Sequence, residues 1–241
     1  MTAAEIAEVL GMALSTVSAV IKPIGLGKRS RLSAPEPPRR YERKRAGELV
    51  HLDIKKIGRI SARGAGHRVT GNRASRHQAT VAGKRRRVTG WEFVHVAVDD
   101  ATRLAYAEVL PDERGETAAG FLRRAVAWFA SFGITVERLL SDNGACYRSE
   151  LHALARGQLG ISRHLFTQPD RPRTNGKAER FIQTLINRWA YGALYGNSAE
   201  RTAALPGWLT HYNFTRRHGS LSHKPPATRL RELTNATGNY T

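Results

Sequence analysis

The sequence predicts an α/β fold, a mixed five-stranded sheet flanked by helices and preceded by a short helix-turn-helix segment. Three observations predict it. Apolar alternation marks a strand at 49–57 and then a hairpin of two strands, 91–98 and 104–110. Helical and strand patterns then alternate from Thr117 to Phe166. A strong amphipathic helix follows, in which Ala178, Phe181, Ile182, Leu185, Ile186 and Trp189 recur on one face. Strands in succession followed by alternating helix and strand imply a mixed sheet with helices on its faces.

Residues 2–22 read as two short helices. Thr2 and Glu5 have the spacing of a capping box, Ile6 and Leu10 give the first helix an apolar face, and Pro23 stops the second after Val17, Val20 and Ile21. Ala7, Gly11 and Val17 have the spacing of a helix-turn-helix: a small residue at the crossing, glycine at the turn, an apolar anchor in the recognition helix. Ser15, Thr16 and Ser18 of that second helix are its candidate DNA contacts. A bare helical hairpin is the plainer alternative. The segment starts immediately after Met1, so a packing partner that normally precedes it is expected to be missing, leaving residues 1–24 a partial module and the copy incomplete.

A basic Pro/Arg-rich linker covers 25–47, the core is expected over 48–192 and a helical extension over 193–241. Inside the core, 58–90 forms a basic insertion without a single Asp or Glu, and from Lys55 to Arg87 the chain carries 11 Lys or Arg. Self-repulsion on that scale needs a polyanion to offset it. Lys55, Lys56, Lys84, Arg85, Arg86 and Arg87 are therefore candidate phosphate contacts.

The whole chain of 241 residues agrees, with 39 Lys+Arg against 20 Asp+Glu and a net charge of +19. Such a balance points to nucleic acid. At 41% hydrophobic residues there is material for one sizeable core. No apolar run approaches the roughly 18 residues of a spanning helix, and no signal peptide opens the chain, which places it in the cytoplasm without a membrane partner. One cysteine, Cys146, excludes an internal disulfide and a cysteine-cluster zinc site.

In so basic a chain, three carboxylates stand out: Asp53 within a strand, Asp142 at a strand end before Asn143-Gly144, and Glu179 in the first turn of the amphipathic helix. Glu179 lies about 20° from Ile186 on the helical wheel, so it is expected to face the sheet. The start of that helix suits a phosphate, with Lys177 and Arg180 beside it. If the strands of Asp53 and Asp142 are neighbours, the three carboxylates can meet at one sheet edge and offer the oxygen donors that magnesium prefers. Two ions about 3.5–4 Å apart would serve an in-line phosphodiester displacement. Each residue also has a plainer reading, as a turn Asp or a helix-dipole Glu. Asp99 and Asp100 rival Asp53 as the first aspartate, though their Asp-Asp-Ala-Thr context reads as a hairpin turn.

Four blocks taken in order, His51-Leu52-Asp53-Ile54-Lys55-Lys56, Val96-Ala97-Val98-Asp99-Asp100-Ala101-Thr102-Arg103, Ser141-Asp142-Asn143-Gly144 and Thr174-Asn175-Gly176-Lys177-Ala178-Glu179-Arg180-Phe181, resemble the integrase core of bacterial insertion-sequence transposases. That family belongs to the D,D,E superfamily, which includes retroviral integrases. The 37-residue step from Asp142 to Glu179 and the downstream Tyr212-Asn213, Arg216-Arg217-His218, Leu221 and Pro225-Pro226 extend the likeness over about residues 2–232. Arg173 and Arg217 depart from it, standing where glutamine and proline are usual. The resemblance implies a ribonuclease-H-like fold, with Asp53, Asp142 and Glu179 as catalytic metal ligands for Mg2+ or Mn2+. It further implies double-stranded element ends and target DNA as substrates, and a homo-oligomer on DNA in a bacterial cytoplasm. A non-catalytic DNA-binding regulator and a plain metal-dependent nuclease of the same fold are the alternatives.

Overall fold

A computed structural model of the chain describes residues 2–24, 42–61, 68, 78–81, 84–87, 90–167 and 175–238. It divides into two compact units, Met1–Tyr41 and Glu42–Thr241.

The first unit contains helices α1 (Ala3–Leu10) and α2 (Leu14–Ile21). The capping box forms as the sequence dictates: Glu5 N donates to Thr2 Oγ1 and Thr2 N to the Glu5 carboxylate. Gly11 ends α1 with φ +60, a left-handed conformation that costs glycine little. Ala7 and Val17, the small residue and the anchor of the expected motif, are the two buried side chains of these helices. Val9, Leu10, Leu14, Val20 and Ile24 are exposed. Two helices of eight residues with so little burial are marginal on their own. Limited proteolysis is expected to cut within residues 1–41 before any cut in the second unit; early cleavage after residue 48 with this segment intact would contradict it. Most of the expected linker lies outside the described residues, but Arg43 N and Gly47 N bond to Asp100 and Asp99, so 42–47 belong to the second unit and the linker ends sooner than the sequence implied.

The second unit is built on a sheet of order β5-β4-β1-β6-β7, formed by β1 (Val50–Gly58), β4 (Trp91–Asp99), β5 (Ala105–Leu110), β6 (Arg138–Ser141) and β7 (Arg163–Phe166). β1, β4 and β5 pair antiparallel, while β6 and β7 run parallel to β1. This is the ribonuclease-H-like arrangement. A separate ribbon pairs β2 (Gln78–Val81) with β3 (Lys84–Arg87); the rest of the basic insertion lies largely outside the described residues.

Helices cover both faces of the sheet. On one, Val50, Leu52 and Ala97 pack with Phe121, Leu122, Ala125 and Phe129 of α3 (Gly115–Ala130) and Ala155 of α4 (Glu150–Gln158). On the other, Val94, Val96 and Val98 meet Ala178, Phe181, Ile182 and Leu185 of α5 (Gly176–Leu185), which runs into a π-helical turn carrying Trp189. Strand alternation explains the division, since residues two apart share a face.

The expected C-terminal extension forms α6 (Ser198–Phe214) and α7 (Pro226–Gly238). Leu205 and Tyr212 of α6 join the α5 side of the core, and Leu230 of α7 the other. Asn213 fixes α6 to β5, accepting from Ala105 N at 2.9 Å and donating to Ala105 O at 2.8 Å. Arg201, wholly buried, donates to Gly58 O at 2.8 Å and Glu92 Oε2 at 2.5 Å. α6 thereby locks the end of β1 to the start of β4.

Candidate active site

The parallel pairing of β1 and β6 brings two of the carboxylates together. His51 lies opposite Leu140, so continuing that register by two residues sets Asp142 alongside Asp53. Adjacent strands are about 4.8 Å apart, and equal steps along both keep the two side chains on one face. Asp53 pairs with Val96, whose side chain packs toward α5. That is the helix bearing Glu179.

Electrostatics registers the convergence. The Asp53 carboxyl is pushed up to about 6, first by burial and then by the nearby charges of Asp142 and Glu179, against the lowering effect of Ile54 N and Lys55. Asp53 is half-buried, while Asp142 and Glu179 are exposed. The expectation that Glu179 faces the sheet is thus corrected. Ala178 takes the buried position beside it, and Ile186, the wheel neighbour that set the expectation, is itself only partly buried. Glu179 sits at the rim.

Asp142 closes a local turn, its Oδ1 accepting from Gly144 N at 2.9 Å, and Asn143 Nδ2 ties that turn to Thr167 O. A cavity of about 210 Å³ lies against it, lined by Ile54, Glu113, Asp142, Gly144, Ala145, Cys146 and Tyr147. Burial pushes the Cys146 thiol up to about 11, so it is no nucleophile at neutral pH. Among the described residues, no three or more His, Cys, Asp or Glu side chains are close enough to enclose a metal ion.

The rivals Asp99 and Asp100 are fully buried and fully engaged. Asp99 accepts from Gly47 N, Thr102 N and Thr102 Oγ1, closing the turn between β4 and β5. Burial opposes ionisation of Asp100, but hydrogen bonds from His51, Lys177 and Arg43 N outweigh it and hold the carboxyl well below its usual range.

Of the candidate DNA contacts, Ser15 and Thr16 are exposed on α2 and Ser18 is partly so. Lys55 is exposed beside the carboxylates; Lys56 pairs with Glu113 at 2.5 Å and lies over the Phe93 ring. Lys84, Arg85, Arg86 and Arg87 form β3. Arg180 is exposed and donates to Gln183. Lys177 differs from expectation: its ammonium meets the buried Asp100, and the side chain is 16% exposed, so its charge is spent inside the protein.

Sequence reasoning left His51 and Asn175 without a role. Both are buried, and they hydrogen-bond to each other between β1 and α5. The signal was there to find. His51 precedes Asp53 by two residues on one strand face, and Asn175 precedes Glu179 by four on one helix face.

The family profile described as Integrase core domain matches residues 43–172, more than half of the chain, and a second profile of the same description matches 161–226. The chain belongs to the integrase core domain family. Among curated proteins, it is 27% identical over 155 residues to "Putative integrase ORF3" of Spiroplasma virus SpV1-C74, an alignment covering 58% of this chain and 42% of that one. The chain thus spans under half the length of this relative. Among solved structures, the catalytic core domain of BIV integrase aligns with a TM-score of 0.49 at 19% identity, covering 79% of this integrase-family chain and 98% of that domain. In this integrase-family chain Asp53 lies within β1, Asp142 directly follows the end of β6, and Glu179 lies in the first turn of α5.

Proposed function

We propose that this chain is a D,D,E polynucleotidyl transferase, a transposase that hydrolyses a phosphodiester at the ends of its own mobile element and joins the exposed 3′ hydroxyl to target DNA. The observation that carries this reading is that Asp53 feels the charges of both Asp142 and Glu179, which come from two other parts of an integrase-family core. Donor chemistry fits a hard divalent cation: the three groups offer only carboxylate oxygens, and both the burial that chiefly raises Asp53 and the added charge of Asp142 and Glu179 disfavour an ionised group that a cation would favour.

In this reading Asp53, Asp142 and Glu179 hold Mg2+ or Mn2+, as a pair of ions. The bound metal would supply activation of the attacking oxygen and charge stabilisation at the leaving oxygen. The protein's part is to fix the carboxylates on a rigid sheet edge and guide the DNA backbone past them. Lys55 stands beside the carboxylates, and Arg180 is exposed one residue beyond Glu179. Lys84–Arg87 form one strand of the β2–β3 ribbon, and α2 presents Ser15 and Thr16. Two element ends joined in one event call for a homo-oligomer on DNA. A bacterial cytoplasm is the setting in this reading; no helix among the described residues is long and apolar enough to cross a membrane.

The test is a strand-transfer assay on labelled element ends with Mg2+ or Mn2+. Joined products are expected. Cleavage without joining would make the protein a plain nuclease, and binding without either would make it a DNA-binding regulator. The basic ribbon has its own test. Removing one phosphate-neutralising charge flattens the dependence of log affinity on log salt by about 0.9. Replacing Lys84, Arg85, Arg86 and Arg87 with Ser is expected to weaken binding to all DNA sequences alike and lower that slope; an unchanged slope would remove the ribbon from the interface.

A further inference from the structure

We infer that Asn175, held by His51 and backed by Asp100, is a positioning residue: a buried clamp that sets the helix bearing Glu179 against the strand bearing Asp53. The inference rests on the three-carboxylate reading and adds to it the residues that align the trio.

Asn175 occupies the N-cap of α5, where an Asn side chain ordinarily accepts from the backbone of the first turn. Here it makes no such bond. Its amide turns onto β1, where Nδ2 donates to Leu52 O at 3.1 Å and Oδ1 lies 3.0 Å from His51 Nδ1. Because Leu52 O can only accept, that bond fixes which end of the amide is which. The other ring nitrogen, His51 Nε2, donates to Asp100 Oδ1 at 2.8 Å, and Lys177 Nζ meets the same carboxylate oxygen. The first turn of α5 is therefore fastened to β1 through Asn175 and to the β4 end through Lys177. His51, Asp100 and Asn175 are all buried.

Position decides what the clamp does. Leu52 immediately precedes Asp53, and His51 lies on the same strand face as Asp53. Asn175 lies one helical turn below Glu179, so a rotation or slide of α5 that Asn175 prevents would carry Glu179 away from Asp53 and Asp142. Groups bonded directly to metal ligands typically tune metal affinity 10- to 100-fold; Asn175 acts one step further back, through the backbone next to Asp53 and the first turn of the helix bearing Glu179.

The experiment is a titration of the full chain with Mn2+ alone, followed by electron paramagnetic resonance, with thermal melting measured in parallel. Asn175→Ala is expected to weaken Mn2+ binding about tenfold or more. Asn175→Ser keeps a good capping residue but cannot reach β1, and is expected to show the same weakening with a smaller loss of stability. Asn213→Ala is the matched control, since Asn213 is an equally buried Asn with two backbone hydrogen bonds, at the junction of α6 and β5. It is expected to lower the melting temperature and leave Mn2+ affinity unchanged. Unchanged Mn2+ affinity in Asn175→Ser, or equal weakening in Asn213→Ala, would overturn the clamp. If Asp142→Asn leaves Mn2+ binding of the otherwise unaltered chain intact, the three-carboxylate reading falls, and this inference with it.

Discussion

Asp53→Asn is expected to raise the melting temperature of the metal-free protein at pH 7.5 while abolishing DNA cleavage and strand transfer. The folded-state value of about 6 lies above the ordinary 3.8 because burial and two neighbouring carboxylates disfavour the charge. The folded protein therefore binds this proton more tightly than the unfolded chain does. The stability it contributes is full below about 3.8 and is lost as pH rises through about 6, so at pH 7.5 the ionised group is a net cost. A shift of this size could be worth up to about 3 kcal/mol, but Asp53 is only half-buried and solvent screens it. A gain of about 1 kcal/mol, or roughly 2–4 °C, is the expectation, disappearing near pH 4. Asp142→Asn is expected to abolish the chemistry as well, without the thermal gain, because Asp142 is exposed. Both variants should retain DNA binding, since one carboxylate is a small change on a surface of +19. Melting curves and a cleavage assay decide it. Persistent cleavage in either variant would remove that residue from the site, and a lower melting temperature in Asp53→Asn would show that its carboxylate stabilises the fold.

The second large effect lies away from the chemistry. Arg201→Met is expected to destabilise the protein by about 3–5 kcal/mol, roughly 6–20 °C in melting temperature. Arg201 is fully buried and binds both Glu92 and Gly58 O, and its loss would leave a largely buried carboxylate with Ser198 Oγ as its remaining donor among the described hydrogen bonds. The cost is mainly that of the stranded charge, not of the pair as such. Adding Glu92→Gln to Arg201→Met is therefore expected to restore much of the stability. A single variant that melts within about 2 °C of the unaltered chain would show that water or a shifted side chain satisfies Glu92.

Arg201 also marks a boundary of what the sequence reveals. It falls on the stripe that Leu205 and Tyr212 continue, at steps of four and seven, but a charged residue on an apolar stripe gives no sign of its partner. Glu92 is over a hundred residues distant, and which strand end α6 would cross was not written locally.

Local rules did determine much of this protein. The capping box and Gly11 follow from the chemistry of three or four adjacent residues, and the core strands and helices follow from where apolar side chains recur. Asp53, Asp142 and Glu179 could be singled out because carboxylates are few in so basic a chain and these three stand beside apolar elements: within a strand, at a strand end and in the first turn of an amphipathic helix. Tertiary structure alone decided that β1 and β6 are parallel neighbours, which sets Asp142 beside Asp53. It alone turned Asn175 from a helix cap into a bond to β1, and Lys177 from a phosphate contact into the partner of Asp100. The physical reason is range. Periodicity and capping are settled within one helical turn or one strand, whereas the fate of a buried polar group depends on which distant oxygen or nitrogen the fold brings to it, because burial without a partner costs more than the bond returns.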